Sequence, residues 1–240
     1  MAADGAPSVV RIASLAGHDG EIVIAGEEAH YLARVVRVRV GERVTATDGR
    51  GALATLEVLE TGASVRARVL DRGRQERPAT LELWCGAPEG DRADWLIEKL
   101  GELGVAAFVP VQCERVRWER AGAKRERWER LATAALRQSR SAWQLEVRPP
   151  VALADAVREL AGPGSRWVCR PDGAPWAEAR HGALPGRFVA AIGPSSGFTD
   201  GELKLLADSG FASVALGRSR LRTETAAITM AALWAAADNG

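Results

Sequence analysis

The sequence has little of what most readily discloses a protein's chemistry. There are three cysteines, Cys85, Cys113 and Cys169. None forms a CxxC pair or keeps company with histidines at ligand spacing, so neither a zinc site nor a disulfide framework is suggested, and a reducing cytoplasm fits. The three histidines, His18, His30 and His181, stand in no GxSxG, HExxH or Cys-His context, which argues against a hydrolytic triad. Neither the phosphate loop GxxxxGK[ST] nor GxGxxG occurs. No window approaches the roughly 20 apolar residues of a membrane span. The opening MAADGAPSVV lacks a basic region followed by a long apolar stretch. Neither sign of charge prevails, the net being +1 over 240 residues. These absences predict a soluble, cytoplasmic protein with no metal and no membrane partner.

What is present is a core and a change of period. Hydrophobic residues make up 47% of the chain, enough for one large domain or two. From Val9 to Val69 the pattern is short β-prone pieces, EIVIAG, RVTATDG, ALATLEVL and SVRARVL, broken at Gly41, Asp48-Gly49 and Gly62. We read residues 1–72 as a small β-barrel domain. The polar stretch DRGRQERPA, Asp71 to Ala79, closes with Pro78 and suits a linker. Residues 80–240 then alternate strand and helix signals: TLELWC, DWLIEKLGELG, AAFVPV, KRERWERLATAALRQS, RWVCR, FVAAI, ASVALG and TETAAITMAALWAAA. Such alternation predicts an α/β domain with a mostly parallel sheet. The last helix carries no charge from Ala226 to Ala237, which places it in the core or at a subunit interface.

Two loops should lie at carboxyl ends of parallel strands, where open α/β sheets bind ligands. The first, Gly193-Pro194-Ser195-Ser196-Gly197, follows an apolar strand, and Thr199 and Glu202 behind it have the spacing of a capping box. Taken alone it also fits an ordinary turn. The second, LGRSRLRTET, has Gly217 for close backbone approach, then Arg218, Arg220 and Arg222, then Thr223 or Thr225 as a helix cap. Alone it is equally a solvated basic turn. Between Arg115 and Arg140 nine Lys or Arg face three acids, and a second basic group, His30, Arg34, Arg37, Arg39 and Arg43, lies in the small domain. Two such runs in different domains favour RNA binding over a merely solvated surface. With no catalytic constellation in view, the chemistry should come from positioning and from a cofactor.

In their order and spacing, IGPSSGFTDGEL, SGFASVALG and RLRTETAAITMAAL resemble the carboxyl-terminal signature of the ribosomal RNA small subunit methyltransferase E family. GDRADWLIEKLGELGVAAFVPVQCERV, RWERLATAALRQSR and HYLARVVRVRVGERVTATDGRG are similar to further blocks of it, so the resemblance covers nearly the whole chain. It implies a SPOUT-type α/β domain with a trefoil knot behind a PUA-like β-barrel, working as a homodimer. Its implied cofactor is S-adenosylmethionine, and its implied product N3-methyluridine in 16S ribosomal RNA of the small subunit. The alternatives are a methyltransferase for another RNA site and an RNA-binding protein that has lost catalysis.

Carried over by position, Gly193, Pro194, Ser195, Ser196, Gly197, Leu216, Gly217, Leu221 and Arg222 would bind cofactor. His30, Arg34, Arg37, Arg115 and Arg140 would bind RNA. Arg222 would stabilise charge developing on the uracil oxygens, and Glu224 is a candidate base. The family usually reads GPEGG in the first loop, Lys before its GD, and Glu before its QS. This chain has Ser195-Ser196, Glu89 and Arg137 there. Ser196 in place of a glycine predicts backbone strain at that position.

Overall fold

The computed structural model describes residues 7–15, 20–77, 79–88, 92–119, 121–182 and 186–238. His18, Pro78, Glu89 and Arg120 lie outside them. The chain divides into two compact units, residues 1–77 with 133–144, and 78–132 with 145–240.

The first unit is a curled, five-stranded half-barrel. Strands β1 (Val9–Arg11), β2 (Glu21–Ile24), β3 (Arg43–Thr47), β4 (Ala52–Thr61) and β5 (Val65–Arg74) run in the order β1-β3-β4-β5-β2. Alternation builds it. In β4, Ala54, Leu56 and Val58 are buried while their neighbours are not, and with Val44, Ala46, Val65 and Ala67 they form one core. The stretch read as linker from Asp71 is in part strand. β5 pairs with β4 as far as Arg74, opposite Ala52, because backbone pairing overrides the polarity of exposed side chains. Between β2 and β3 lies helix α1 (Gly26–His30), continued by one π-helical turn, Tyr31–Val36.

The second unit opens with β6 (Thr80–Cys85), helix α2 (Ala93–Glu102) and β7 (Ala107–Gln112). Helix α3 (Ala121–Ser139) starts here, and its residues from Thr133 belong to the first unit. Then come β8 (Glu146–Val147), β9 (Val151–Ala152), α4 (Leu153–Arg158), β10 (Ser165–Pro175), the short α5 (Trp176–Ala179), β11 (Arg187–Ile192), α6 (Asp200–Asp208), β12 (Ala212–Ala215) and α7 (Thr223–Asp238). The seven strands run in the order β12-β10-β11-β6-β7-β8, with β9 also on β7, and every pairing is parallel.

Burial on both faces explains why β6 is apolar apart from Thr80 and Glu82. Leu81, Leu83 and Cys85 join one core with Leu96, Leu100, Met230 and Trp234, while Trp84 joins the other with Val109, Val168 and Phe211. Phe108, Trp118 and Trp128 meet edge to face at 5.5–6.2 Å between ring centres. Helix α2 ends before Gly104, whose φ of 73° stops it. Helix α6 starts on the expected capping box: Thr199 accepts from the Glu202 backbone, and Glu202 accepts from that of Thr199.

Candidate active site

Strands β12, β10 and β11 are neighbours, so their carboxyl ends open side by side. A cavity of about 340 Å³ lies there, within the usual range for small-molecule sites. Three segments line it: Cys169–Pro171 after the first part of β10, Ile192–Gly197 after β11, and Leu216–Ala226 between β12 and α7. Beside these segments close approach has been built in at two glycines. A Cβ on Gly86 would sit 2.5 Å from the Pro194 nitrogen, and one on Gly173 would sit 2.5 Å from the Val214 nitrogen. Gly217, in contrast, has open space where its Cβ would point.

Hydrogen bonds fix the loops to each other. The Thr223 hydroxyl donates to the Gly193 carbonyl at 3.0 Å, tying the first loop to the start of α7. The Gly197 amide donates to the Pro194 carbonyl at 2.8 Å, closing a tight turn, and Arg220 reaches the Ser195 carbonyl at 3.3 Å. The left-handed conformation in this turn falls on Gly197, with φ of 76°, and not on Ser196. The strain predicted at Ser196 is therefore absent. The serine pair replaces side chains without asking the backbone for anything special.

The structure brings Gly193, Pro194, Ser195, Gly197, Leu216, Gly217, Leu221, Arg222 and Glu224 to this one cavity, while Ser196 is exposed and outside its lining. Cys169, Arg170, Pro171 and Ser219 line it as well and were not singled out from sequence. The segment from Cys169 carries no glycine signal until Gly173, so nothing in the sequence pointed to it. Three arginines, Arg170, Arg220 and Arg222, line the cavity, and Glu224 is its one carboxylate among the described residues. Glu224 is 2% exposed and takes a hydrogen bond and ion pair from Arg92, at the start of α2. Arg170 is held bidentately by Asp172, at 2.6 and 2.8 Å, which keeps the Asp172 carboxyl below the usual carboxylate range. Burial pushes the Cys169 thiol up, so it lines the cavity as a neutral group.

Of the residues assigned to RNA, His30, Arg34, Arg37 and Arg140 are exposed in the first unit and Arg115 is exposed in the second. No group of side chains able to hold a metal ion occurs among the described residues, and no helix among them is long and apolar enough to cross a membrane.

Residues 75–235 match the model of the RNA methyltransferase domain, and residues 24–69 match that of the RNA methyltransferase PUA domain. The cavity at the ends of β10, β11 and β12 thus sits in an RNA methyltransferase of SPOUT type, preceded by a PUA-like unit. The chain is 32% identical to ribosomal RNA small subunit methyltransferase E of Synechocystis, over 87% of this chain and 70% of that one. It is 33% identical to the Mycobacterium bovis protein of the same name, over 85% and 82%. The chain belongs to the ribosomal RNA small subunit methyltransferase E family. Its fold superposes with a TM-score of 0.85 on the Neisseria gonorrhoeae member, solved bound to S-adenosyl methionine, at 27% identity over 95% of this chain and 96% of that one. A Legionella pneumophila protein, also solved with that cofactor, gives 0.84 at 26% identity over 97% and 98%.

Proposed function

We propose that the protein transfers the methyl group of S-adenosylmethionine to N3 of a uridine in 16S ribosomal RNA, in the cytoplasm and as a homodimer. The observation that carries this reading is the cavity itself. A space bounded by the two glycine loops at three adjacent strand ends suits a nucleoside that is gripped through peptide groups, and its three arginines and one carboxylate suit a cofactor that bears charges of both signs. The cofactor supplies an electrophilic methyl group. The chain's own residues then have three tasks. Gly193, Pro194, Ser195, Gly197, Leu216, Gly217 and Leu221 hold the cofactor and exclude water. Arg222, exposed at the rim, faces the negative charge that develops on uracil as its N3 proton leaves. The target base leaves its stack to reach the cavity. Glu224 keeps a supporting part, because Arg92 already occupies it.

The trefoil knot and the homodimer belong to the same reading. The uncharged stretch of α7 between Glu224 and Asp238, with Ile228 and Leu233 only partly buried in the single chain, supports a partner surface there. Exposed Arg34, Arg37 and Arg140 support RNA contact by the first unit.

Two measurements test the proposal. Calorimetric titration should show S-adenosylmethionine binding to the purified protein. Mapping of 16S ribosomal RNA from cells without the gene should show one N3-methyluridine lost, and restored by wild-type protein but not by Arg222→Ala. Cofactor binding without any change in the map would leave a methyltransferase with another target. No binding would leave an RNA-binding protein.

A further inference from the structure

Among the described residues thirteen have φ in the left-handed region, and eleven of them are glycine. The other two are both arginines, Arg37 with φ of 59° and Arg140 with φ of 56°. Each occupies the same kind of place. Arg37 follows the π-helical turn, and the Val38 amide behind it bonds back to the Leu32 carbonyl at 3.0 Å. Arg140 follows α3, and the Ser141 amide behind it bonds back to the Leu136 carbonyl at 3.2 Å. In such helix endings the left-handed position favours glycine, because any Cβ is disfavoured there. Two arginines in two glycine positions, both exposed and both in the first unit, imply that the side chains are wanted for themselves.

A third arginine ties the two endings together. Arg137, three residues before Arg140, lies over the Tyr31 ring at 4.4 Å and pairs with Glu28. Its side chain and that of Glu28 are each 16% exposed. Tyr31 opens the π-helical turn that ends at Arg37, and Glu28 also accepts from the Arg11 backbone at 3.1 Å. The segment that ends at Arg37 is therefore clamped to the segment that ends at Arg140 by a stacked, largely buried ion pair.

We infer that Arg37 and Arg140 are paired phosphate contacts for RNA on the first unit, and that Arg137 is the positioning residue that fixes one relative to the other. The inference rests on the reading that the protein binds ribosomal RNA. Its competitor is plain helix stabilisation, since a cation near a helix C-terminus is favourable whether or not RNA is present. The two differ in sign under one substitution. Changing either arginine to glycine relieves the left-handed backbone while it removes the cation.

The test uses the full chain, with binding to purified small ribosomal subunits followed across a range of salt concentrations and thermal unfolding followed in parallel. Arg37→Gly and Arg140→Gly should each keep or raise the melting temperature. Each should weaken RNA binding about three- to tenfold and lower the slope of log affinity against log salt by about one. Arg137→Leu should weaken binding without lowering the slope, because it touches no phosphate, and Arg137→Lys should not rescue, because it cannot stack as a plane. Cofactor titration should be unchanged in all four. If wild-type protein binds RNA and the double glycine variant binds it equally well, or if the variants lose melting temperature in step with binding, the inference fails alone. If wild-type protein does not bind the subunit at all, the RNA reading fails and takes the inference with it.

Discussion

Arg92, at the start of α2, is bonded to Glu224, in the first turn of α7, across the rim of the cavity. The two partners are unlike: Arg92 is 45% exposed and Glu224 only 2%. Removing the arginine strands a buried negative charge, whereas removing the carboxylate leaves a cation that water can reach. Arg92→Leu should therefore destabilise the protein by about 2 kcal/mol, less than for a wholly buried pair because the arginine is half in solvent. Glu224→Gln should cost less in stability and more in cofactor affinity. Denaturant unfolding together with cofactor calorimetry on both variants checks the order. Equal losses of stability would mean that the pair is an ordinary surface bridge.

Gly86 precedes the segment that leads to α2, and a Cβ there would lie 2.5 Å from the Pro194 nitrogen and 2.7 Å from its Cδ. Neither atom belongs to a flexible side-chain end, so the first loop must move. Gly86→Ala is expected to cost about 1–3 kcal/mol as overpacking and to weaken cofactor binding at least tenfold. Gly217→Ala is the control, since its Cβ would point into open space. Its melting temperature should match wild type, while its cofactor affinity falls only if the cofactor passes over that glycine.

The ladder of elements was legible in the sequence because period and punctuation agreed. Thr199 and Glu202 announced α6, and alternation announced β4. Three things were not legible, each for a physical reason. Polar Asp71–Arg74 looked like linker, yet a strand exposed on its side chains is decided by backbone pairing, which leaves no mark in composition. Helix α3 has one continuous period, so nothing in it signals that Thr133 onwards belongs with the first unit. The third wall of the cavity, Cys169–Pro171, comes from the interruption of β10 after Cys169, which no glycine marks until Gly173, and proximity to the two glycine loops arises only when β10 is placed between β11 and β12.

Glu82 was equally hidden, a single carboxylate inside TLELWC. It is buried, and it accepts from the Trp84 indole at 2.7 Å and pairs with Arg187 at 3.0 Å and Arg148 at 3.1 Å. Glu82→Ala leaves the indole donor without its partner and takes one carboxylate from both arginines, leaving Arg148 with Glu146 and Arg187 with the Ala161 carbonyl. A loss of about 2–4 kcal/mol is expected, or a fall in melting temperature of roughly 4–16 °C for a chain of this size. Glu82→Gln, which keeps one acceptor, should lose about half as much. Calorimetric unfolding of the three proteins decides it.

All three thiols are held above their ordinary range. Burial raises Cys85 and Cys169, and burial followed by the nearby Glu202 carboxylate raises Cys113 to about 12. A thiol whose folded value is raised favours the folded state fully below its unfolded value near 9, and that contribution is lost as pH climbs through the folded value. For Cys113 the window is therefore about pH 9 to 12. A disulfide reagent at pH 8 should find no fast-reacting thiol in native protein and all three in denaturant. Cys113→Ala should flatten the fall in stability above about pH 9. Rapid labelling of native protein would show that the sites open.

The serine pair of the first loop gives the last prediction. Because Gly197 carries the φ of 76°, and Ser195 and Ser196 are exposed without left-handed backbone, the turn's shape does not depend on the residues that differ from the family's usual GPEGG. Ser196→Gly should leave both melting temperature and cofactor affinity within error of wild type. Gly197→Ala places a Cβ on left-handed backbone and should cost about 1 kcal/mol, shifting the turn closed by the Gly197 to Pro194 hydrogen bond and lowering cofactor affinity with it. Ser195→Glu adds a negative charge beside Arg220, which already reaches the Ser195 carbonyl. If that variant alone gains affinity, the missing carboxylate matters as charge; if Ser196→Gly gains it instead, the loop in solution departs from the one described.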